Sequence, residues 1–262
     1  MQVSTIITTG GRPDEVSIEL AMVASQALGY PFVERRKTSV AGLQQRYGSH
    51  VIVAGKGRFE LFRIGMDKPF FFHPNTAVFR LKRLARGEKD PMVEAAGLQA
   101  GDSFLDCTLG LASDSIVASY ITGETGQVTG VEADRDVAFL TERGLRTFPS
   151  DDDRLRKAMR RIDVLHSDAR SFLQSQPADA WDVVYLDPMF HAPIEESANF
   201  TPLREVGVHG PLTDAWWNEA LRVSRRCVVV KDRYDSVVFE RFGMRRVKRP
   251  NTKFHFGYLN KI

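Results

Sequence analysis

The chain has 262 residues, 43% hydrophobic and 26% charged, with 20 Gly and 12 Pro; these proportions describe a packed globular protein and exclude a disordered or fibrous one. Its two cysteines, Cys107 and Cys227, each lie beside an apolar run, which excludes a disulfide framework and a cysteine-based zinc site. The formal net charge is +3, yet Arg222 to Ile262 carry twelve basic side chains against three acidic ones, +9 in that stretch, so the remainder averages acidic.

The first 68 residues read as a small α/β unit. Val3 to Thr8 has the pattern of a strand and Gly10-Gly11-Arg12-Pro13 that of a turn; Val16, Leu20, Val23, Ala24 and Leu28 recur at helical spacing over Asp14 to Leu28. Val51 to Ala54 and Phe59 to Arg63 predict two further strands around a Gly55-Lys56-Gly57 hairpin turn. Phe70 to Pro74 closes the unit. The rest, 69–262, reads as a second domain whose leading helices fill 69–100. The first of these is capped by Asn75 and carries Val78, Phe79, Leu81 and Leu84, and a second runs from Pro91 to Ala96. From Phe104 strands alternate with helices. The strands are Phe104 to Cys107, Val128 to Glu132, Ile162 to His166, Val183 to Leu186 and Cys227 to Lys231, and two closing strands lie near Met244 to Lys248 and Phe254 to Leu259. This order predicts a doubly wound, mostly parallel Rossmann-like α/β sheet, with ligands at the carboxyl ends of its strands.

Four strand tips carry candidate chemistry. Asp106-Cys-Thr-Leu-Gly-Leu-Ala-Ser-Asp114 is a strand end, a small-residue turn and a helix start. Thr108, Gly110 and Ala112 allow close backbone approach to a ligand, and an acid at Asp106 suits a cationic amino-acid group better than a pyrophosphate. That argues against a nicotinamide dinucleotide. Glu132 ends the next strand, where an acid can accept from two ribose hydroxyls. Asp168 follows the third and reads either as an acceptor for an adenine amine or as a helix N-cap. Amino acid, ribose and adenine are the three parts of S-adenosylmethionine. After the fourth strand comes Asp187-Pro188-Met189-Phe190. A carboxylate and a backbone carbonyl accepting both N–H bonds of a base amine make its nitrogen more nucleophilic, while an aromatic ring stacks on the extruded base. The alternative reading is a capped, proline-stiffened loop with Phe190 in the core. His73, His191 and His209 have no metal-ligand spacing, Trp216 and Trp217 suit packing, and Lys231 either faces the cleft or ends its strand. The basic residues from Arg80 to Arg86 and the C-terminal set read as phosphate contacts or as solvated faces. The N-terminus shows no basic-then-apolar leader and no apolar run reaches membrane-spanning length, so a soluble cytoplasmic protein without a membrane partner is expected.

With these residues in view, the chain resembles the bacterial ribosomal RNA small subunit methyltransferase J family, class I S-adenosylmethionine-dependent enzymes acting on a guanine N2 amine of 16S rRNA. The resemblance rests on the Asp106–Asp114 block, Val131-Glu132-Ala133, Leu165-His-Ser-Asp-Ala169, Val183-Val-Tyr-Leu-Asp-Pro-Met-Phe190 and Val228-Val-Val-Lys231. It implies cofactor contacts from Ser113, Asp114, Glu132, Ala133, Asp168 and Ala169, S-adenosylhomocysteine as product, and Asp187 where sulfonium and target amine meet. The family has Pro directly after this Phe, where the chain has His191, and 192–210 departs from its pattern. The N-terminal unit is more similar to an uncharacterised branch of the group. The expected reaction is methyl transfer to an exocyclic amine of rRNA, without a metal. The rival expectations are a small-molecule or protein amine as acceptor, and a non-catalytic RNA-binding protein.

Overall fold

A computed structural model describes residues 3–55, 57–188, 212–249 and 252–261. Two compact units divide them: Met1–His73 together with Phe139–Phe148, and the remainder. The small unit contains β1 (Thr5–Thr9), α1 (Glu15–Leu28), α2 (Val40–Tyr47), β2 (His50–Gly55) and β3 (Arg58–Phe62). Its sheet has the order β1-β2-β3, parallel between the first pair and antiparallel between the second. Helix α1 begins where the Asp14 carboxylate accepts the Ser17 N–H at 2.8 Å, and it stops at Gly29, whose φ of 66° is left-handed. Helix α2 has no counterpart in the sequence reading. It is eight residues long and buries only Leu43, too little to leave a clear periodic signal.

The second unit begins with α3 (Asn75–Leu84) and α4 (Pro91–Ala96). The alternating series follows: β4 (Ser103–Asp106), α5 (Ser113–Thr122), β5 (Gln127–Glu132), α6 (Arg135–Thr147, of which the residues from Phe139 belong to the first unit), α7 (Asp153–Arg160), β6 (Ile162–His166), α8 (Ala169–Ser175) and β7 (Trp181–Leu186). It closes with α9 (Asp214–Val223), β8 (Ser224–Arg233), α10 (Val238–Arg241), β9 (Arg245–Val247) and β10 (Phe254–Asn260). The seven strands lie in the order β6-β5-β4-β7-β8-β10-β9. The pairs among β4 to β8 are parallel, and β10 is antiparallel to both β8 and β9. The expected doubly wound, mostly parallel sheet is therefore present. After β4 the chain builds outward through β5 and β6, then returns to place β7 on the other side of β4, so the strand order reverses between β4 and β7. In open α/β sheets such a reversal opens a crevice at the strands' carboxyl ends.

Several local expectations need correction. Pro74, not Asn75, occupies the cap position of α3, and no side chain caps it; the helix starts on the Val78 N–H to Pro74 carbonyl bond of 2.9 Å. Its buried residues are Ala77 and Leu81, while Phe79 is 69% exposed. Strand β8 outruns the expected 227–231 because β10 pairs along it from Arg233 to Cys227. Helix α7 was hidden in a charged run, with only Leu155, Ala158 and Met159 buried.

Leu105, Val131, Val184, Leu186, Val228 and Val230 pack on one face of the sheet with Trp217, Ala220, Val223 and Phe239. Trp217 stacks on Phe242 with ring centroids 4.7 Å apart, the packing role expected of that tryptophan. Cys107 and Cys227 are buried free thiols. Among the described residues no helix is long and apolar enough to cross a membrane.

Gly130 in β5 lets the turn after β4 lie directly against the sheet. A Cβ there would fall 2.2 Å from Leu109 Cδ1, and Leu109 is itself buried. Gly130→Ala is expected to cost about 1–3 kcal/mol through overpacking, measured as a lowered urea midpoint; an unchanged midpoint would show that the turn moves freely.

Candidate active site

The turn from Cys107 to Ala112 is held on both flanks by main-chain bonds. Cys107 N–H donates to the Tyr185 carbonyl of β7 at 2.9 Å, and Leu109 N–H to the Val131 carbonyl of β5 at 3.1 Å. Gly110 and Ala112 have φ of 50° and 57°. That conformation costs Gly110 little, whereas at Ala112 the surrounding bonds must impose it. Ala112 has no side chain able to cap α5, and none is bonded there, so small residues and main-chain N–H groups form the start of the helix.

Asp106 acts on the turn itself. It is 1% exposed, and its Oδ1 accepts the Thr108 N–H at 2.9 Å while Oδ2 accepts the Ser115 hydroxyl at 2.6 Å. Both carboxylate oxygens thus have donors within the turn and α5. Burial raises its pKa to about 7 against those hydrogen bonds, and the Asp114 and Asp187 anions add to the rise. The Thr108 hydroxyl carries the connection onward, accepting the Asp187 N–H at 2.8 Å.

Glu132 stands at the tip of β5, 8% exposed, with one oxygen accepting the Gly110 N–H at 3.0 Å and the other the Asp134 N–H at 2.9 Å. Burial raises its pKa despite these bonds. Ala133 follows it directly. Asp168 caps α8, accepting the Ser171 N–H at 3.0 Å, so the N-cap alternative is realised in the structure. Ala169 is the first residue of that helix.

Asp187 follows β7 and Pro188 is buried behind it. Lys231 Nζ donates to Asp187 Oδ2 at 2.6 Å and lies 3.5 Å from Asp114 Oδ2. Of the alternatives for Lys231, the side chain faces the cleft. Asp114, in the first turn of α5, also accepts the Tyr185 hydroxyl at 2.9 Å and an Arg80 N–H at 2.5 Å. Arg80 in turn spans both oxygens of Asp90, at 2.7 and 2.9 Å. Burial would raise Asp114, but Lys231 and Arg80 outweigh it and hold the carboxyl well below the usual range. Burial likewise works against the Lys231 charge, and Asp187 and Asp114 outweigh it and keep the ammonium protonated.

Arg80 therefore cannot serve as a phosphate contact: its guanidinium is enclosed between two acids. The periodicity of α3 contained the signal, because Arg80 lies three residues from Ala77 on the buried face. Tyr185 was missed altogether. Its position in Val-Val-Tyr-Leu, two residues before Asp187, puts both on the same side of the strand.

The C-terminal charge is also largely internal. Arg222 pairs with Glu219, Arg225 with Asp182, Arg226 with Asp102, Arg233 with Asp235, Arg241 with Asp214 and Lys261 with Asp179. Among the described residues Arg245, Lys248 and Arg249, on β9 and just after it, take part in no ion pair. Phe190, His191 and His209 lie outside the described residues; His73 packs edge-on to Phe71 at 5.5 Å.

The strand order and the acid-tipped turn at the switch point define a class I methyltransferase fold. The chain belongs to the SAM-dependent methyltransferases: residues 66–240 match the family model described as "Putative SAM-dependent methyltransferase". It is 45% identical over 254 residues to "Uncharacterized protein YpiP" of Bacillus subtilis (strain 168), covering 97% of this chain and 98% of that one. It is 26% identical over 229 residues to "Ribosomal RNA small subunit methyltransferase J" of Vibrio vulnificus (strain YJ016), covering 82% and 87%. The crystal structure of the SAM-dependent methyltransferase NGO1261 from Neisseria gonorrhoeae superposes with a TM-score of 0.60 at 19% identity, over 98% of this chain and 96% of that one. S-adenosylmethionine is the cofactor.

The raised pKa of Asp106 makes a prediction about stability. The folded state holds a proton that the unfolded chain, with an ordinary value near 3.8, has already released, so this contribution is full at low pH and is lost as pH rises toward 7. The stability of the wild type minus that of Asp106→Asn is expected to fall between about pH 4 and 7, read from urea midpoints across that range. A difference independent of pH would contradict it.

Proposed function

We propose that the chain transfers a methyl group from S-adenosylmethionine to an exocyclic base amine of structured RNA, with guanine N2 of 16S rRNA as the target. One observation carries the reading: Asp187 and Pro188 leave the tip of β7 at the switch point, joined through Thr108 to the small-residue turn. The similarity to relatives named as rRNA methyltransferases supports RNA as the acceptor, as do the unpaired cations Arg245, Lys248 and Arg249.

The residues present fit the cofactor. Gly110 and Ala112 bring bare backbone to the crevice, and no side chain caps the start of α5. Ser113 and Asp114 begin that helix. Glu132, with Ala133 beside it, offers its buried carboxylate to ribose hydroxyls, and Asp168 and Ala169 border the adenine. Asp106 and Thr108 hold the turn in shape. When bound, the cofactor supplies a methyl group on a sulfonium, an electrophile that needs no metal.

The task left to the protein is to bring an amine in line and make its nitrogen reactive. The lone pair of an exocyclic amine is delocalised into the base. Asp187 and the Pro188 carbonyl each accept one N–H, drawing the nitrogen toward a pyramidal, nucleophilic geometry and favouring the charge it gains during transfer. Phe190, by its place in the motif, stacks on the base once it leaves the helix.

Two measurements test this. Calorimetric titration with S-adenosylmethionine should show binding that Glu132→Ala weakens by about tenfold or more, the worth of one hydrogen bond to a charged group; equal affinity would remove Glu132 from the site. Methyl transfer to unmodified 16S rRNA should fall by about a hundredfold or more in Asp187→Asn, with cofactor affinity nearly intact. Turnover at the wild-type rate would sink the catalytic assignment, and no transfer to any RNA by the wild type would sink the choice of acceptor.

A further inference from the structure

Five ionised side chains, drawn from places far apart in the sequence, alternate in sign toward the crevice: Asp90, Arg80, Asp114, Lys231 and Asp187. Lys231 is the pivot. Its ammonium lies 2.6 Å from Asp187 and 3.5 Å from Asp114, and its side chain is 25% exposed, against 11% for Asp114 and 28% for Asp187. The inner acid is fixed by Arg80 and by the Tyr185 hydroxyl, so Lys231 has a rigid anchor on one side and, on the other, the carboxylate that opens to the crevice.

We propose that Lys231 is the positioning residue of the methyl-transfer site: it aims the Asp187 carboxylate and keeps it ionised, and the Arg80–Asp114–Tyr185 assembly holds Lys231 where it can do so. This rests on the reading of Asp187 as acceptor for the target amine. An anion is what the amine needs, since a protonated carboxyl would offer it a donor in place of an acceptor. Left alone, Asp187 would face an unfavourable field. Asp106 from β4 and Asp232 from β8 are acids coupled to it, Asp114 from α5 shares Lys231 with it, and Tyr185 from β7 is neutral, held well above its usual range by burial and by Asp114. Lys231 touches it at 2.6 Å, and Arg80 is held behind Asp114. Withdrawing the Lys231 charge leaves Asp114 and Asp187 across a gap that one ammonium had filled, which raises the cost of ionising the more exposed of them.

The experiment uses the full chain with 13C-carboxyl-labelled aspartate, the Asp187 signal being the one lost in Asp187→Asn. In Lys231→Met its titration midpoint is expected to move upward by about one pH unit or more, and Lys231→Arg to restore it. With 16S rRNA as acceptor, Lys231→Met is expected to lose about a hundredfold in kcat, to gain a fall in rate toward low pH that the wild type lacks, and to keep its affinity for S-adenosylhomocysteine. Lys231→Gln takes its place if the Met variant does not fold. An unmoved midpoint overturns the proposal whatever the activity, as does a Lys231→Met enzyme with wild-type kcat and pH profile. If the wild type methylates no RNA, the RNA reading falls and the midpoint alone decides the role of Lys231.

Discussion

The position of Asp114 is the constraint on which the rest of the site depends. A carboxylate in the first turn of α5 is favoured by the helix dipole, but there it is also 8% exposed, a costly place for an unpaired charge. Arg80, Tyr185 and Lys231 converge on it and remove that cost. Each comes from a different element, so satisfying one buried charge brings together α3, α5, β7 and β8 at the carboxyl edge of the sheet. Such ion networks are weak evidence for stability and better evidence for a single arrangement, because any shift of one member strands another. The arrangement selected here leaves one carboxylate, Asp187, at the outer end.

A second set of bonds, from neutral donors, lies beside it. The Asp106 carboxylate holds the Thr108 N–H and the Ser115 hydroxyl, the Thr108 hydroxyl holds the Asp187 N–H, and Glu132 holds the Gly110 N–H. Three strand tips are thereby joined through a single turn, and its close fit to β5 requires the missing side chain of Gly130. The turn after β4 and the segment after β7 are therefore not independent loops.

Charge in this chain is used internally first. The excess of basic residues at the C-terminal end reads as phosphate contacts or as solvated faces, but five of those twelve cations are matched by Asp102, Asp179, Asp182, Asp214 and Glu219, Arg233 by Asp235, and Lys231 by Asp114 and Asp187. A net count along the sequence cannot reveal this, because partners such as Asp102 and Arg226 are 124 positions apart. Among the described residues Arg245, Lys248 and Arg249, on and just after the edge strand β9, take part in no ion pair.

Much of this was legible in the residues alone. Alternating apolar runs and helical spacing defined the doubly wound sheet, and the strand-tip acids Asp106, Glu132, Asp168 and Asp187 stood out because period-2 strands ending in a carboxylate are local patterns that local chemistry explains. Short or charged helices such as α2 and α7 did not stand out, because few buried residues leave little periodicity. The extra length of β8 came from pairing with β10, a long-range contact no window can contain. The roles within the site were decided by tertiary structure. Asp106 faces inward to brace a turn, Asp168 caps a helix, Arg80 is locked between two acids, and Lys231 joins Asp114 to Asp187, because burial obliges each charge to find a partner and only the folded chain determines which partners lie within reach.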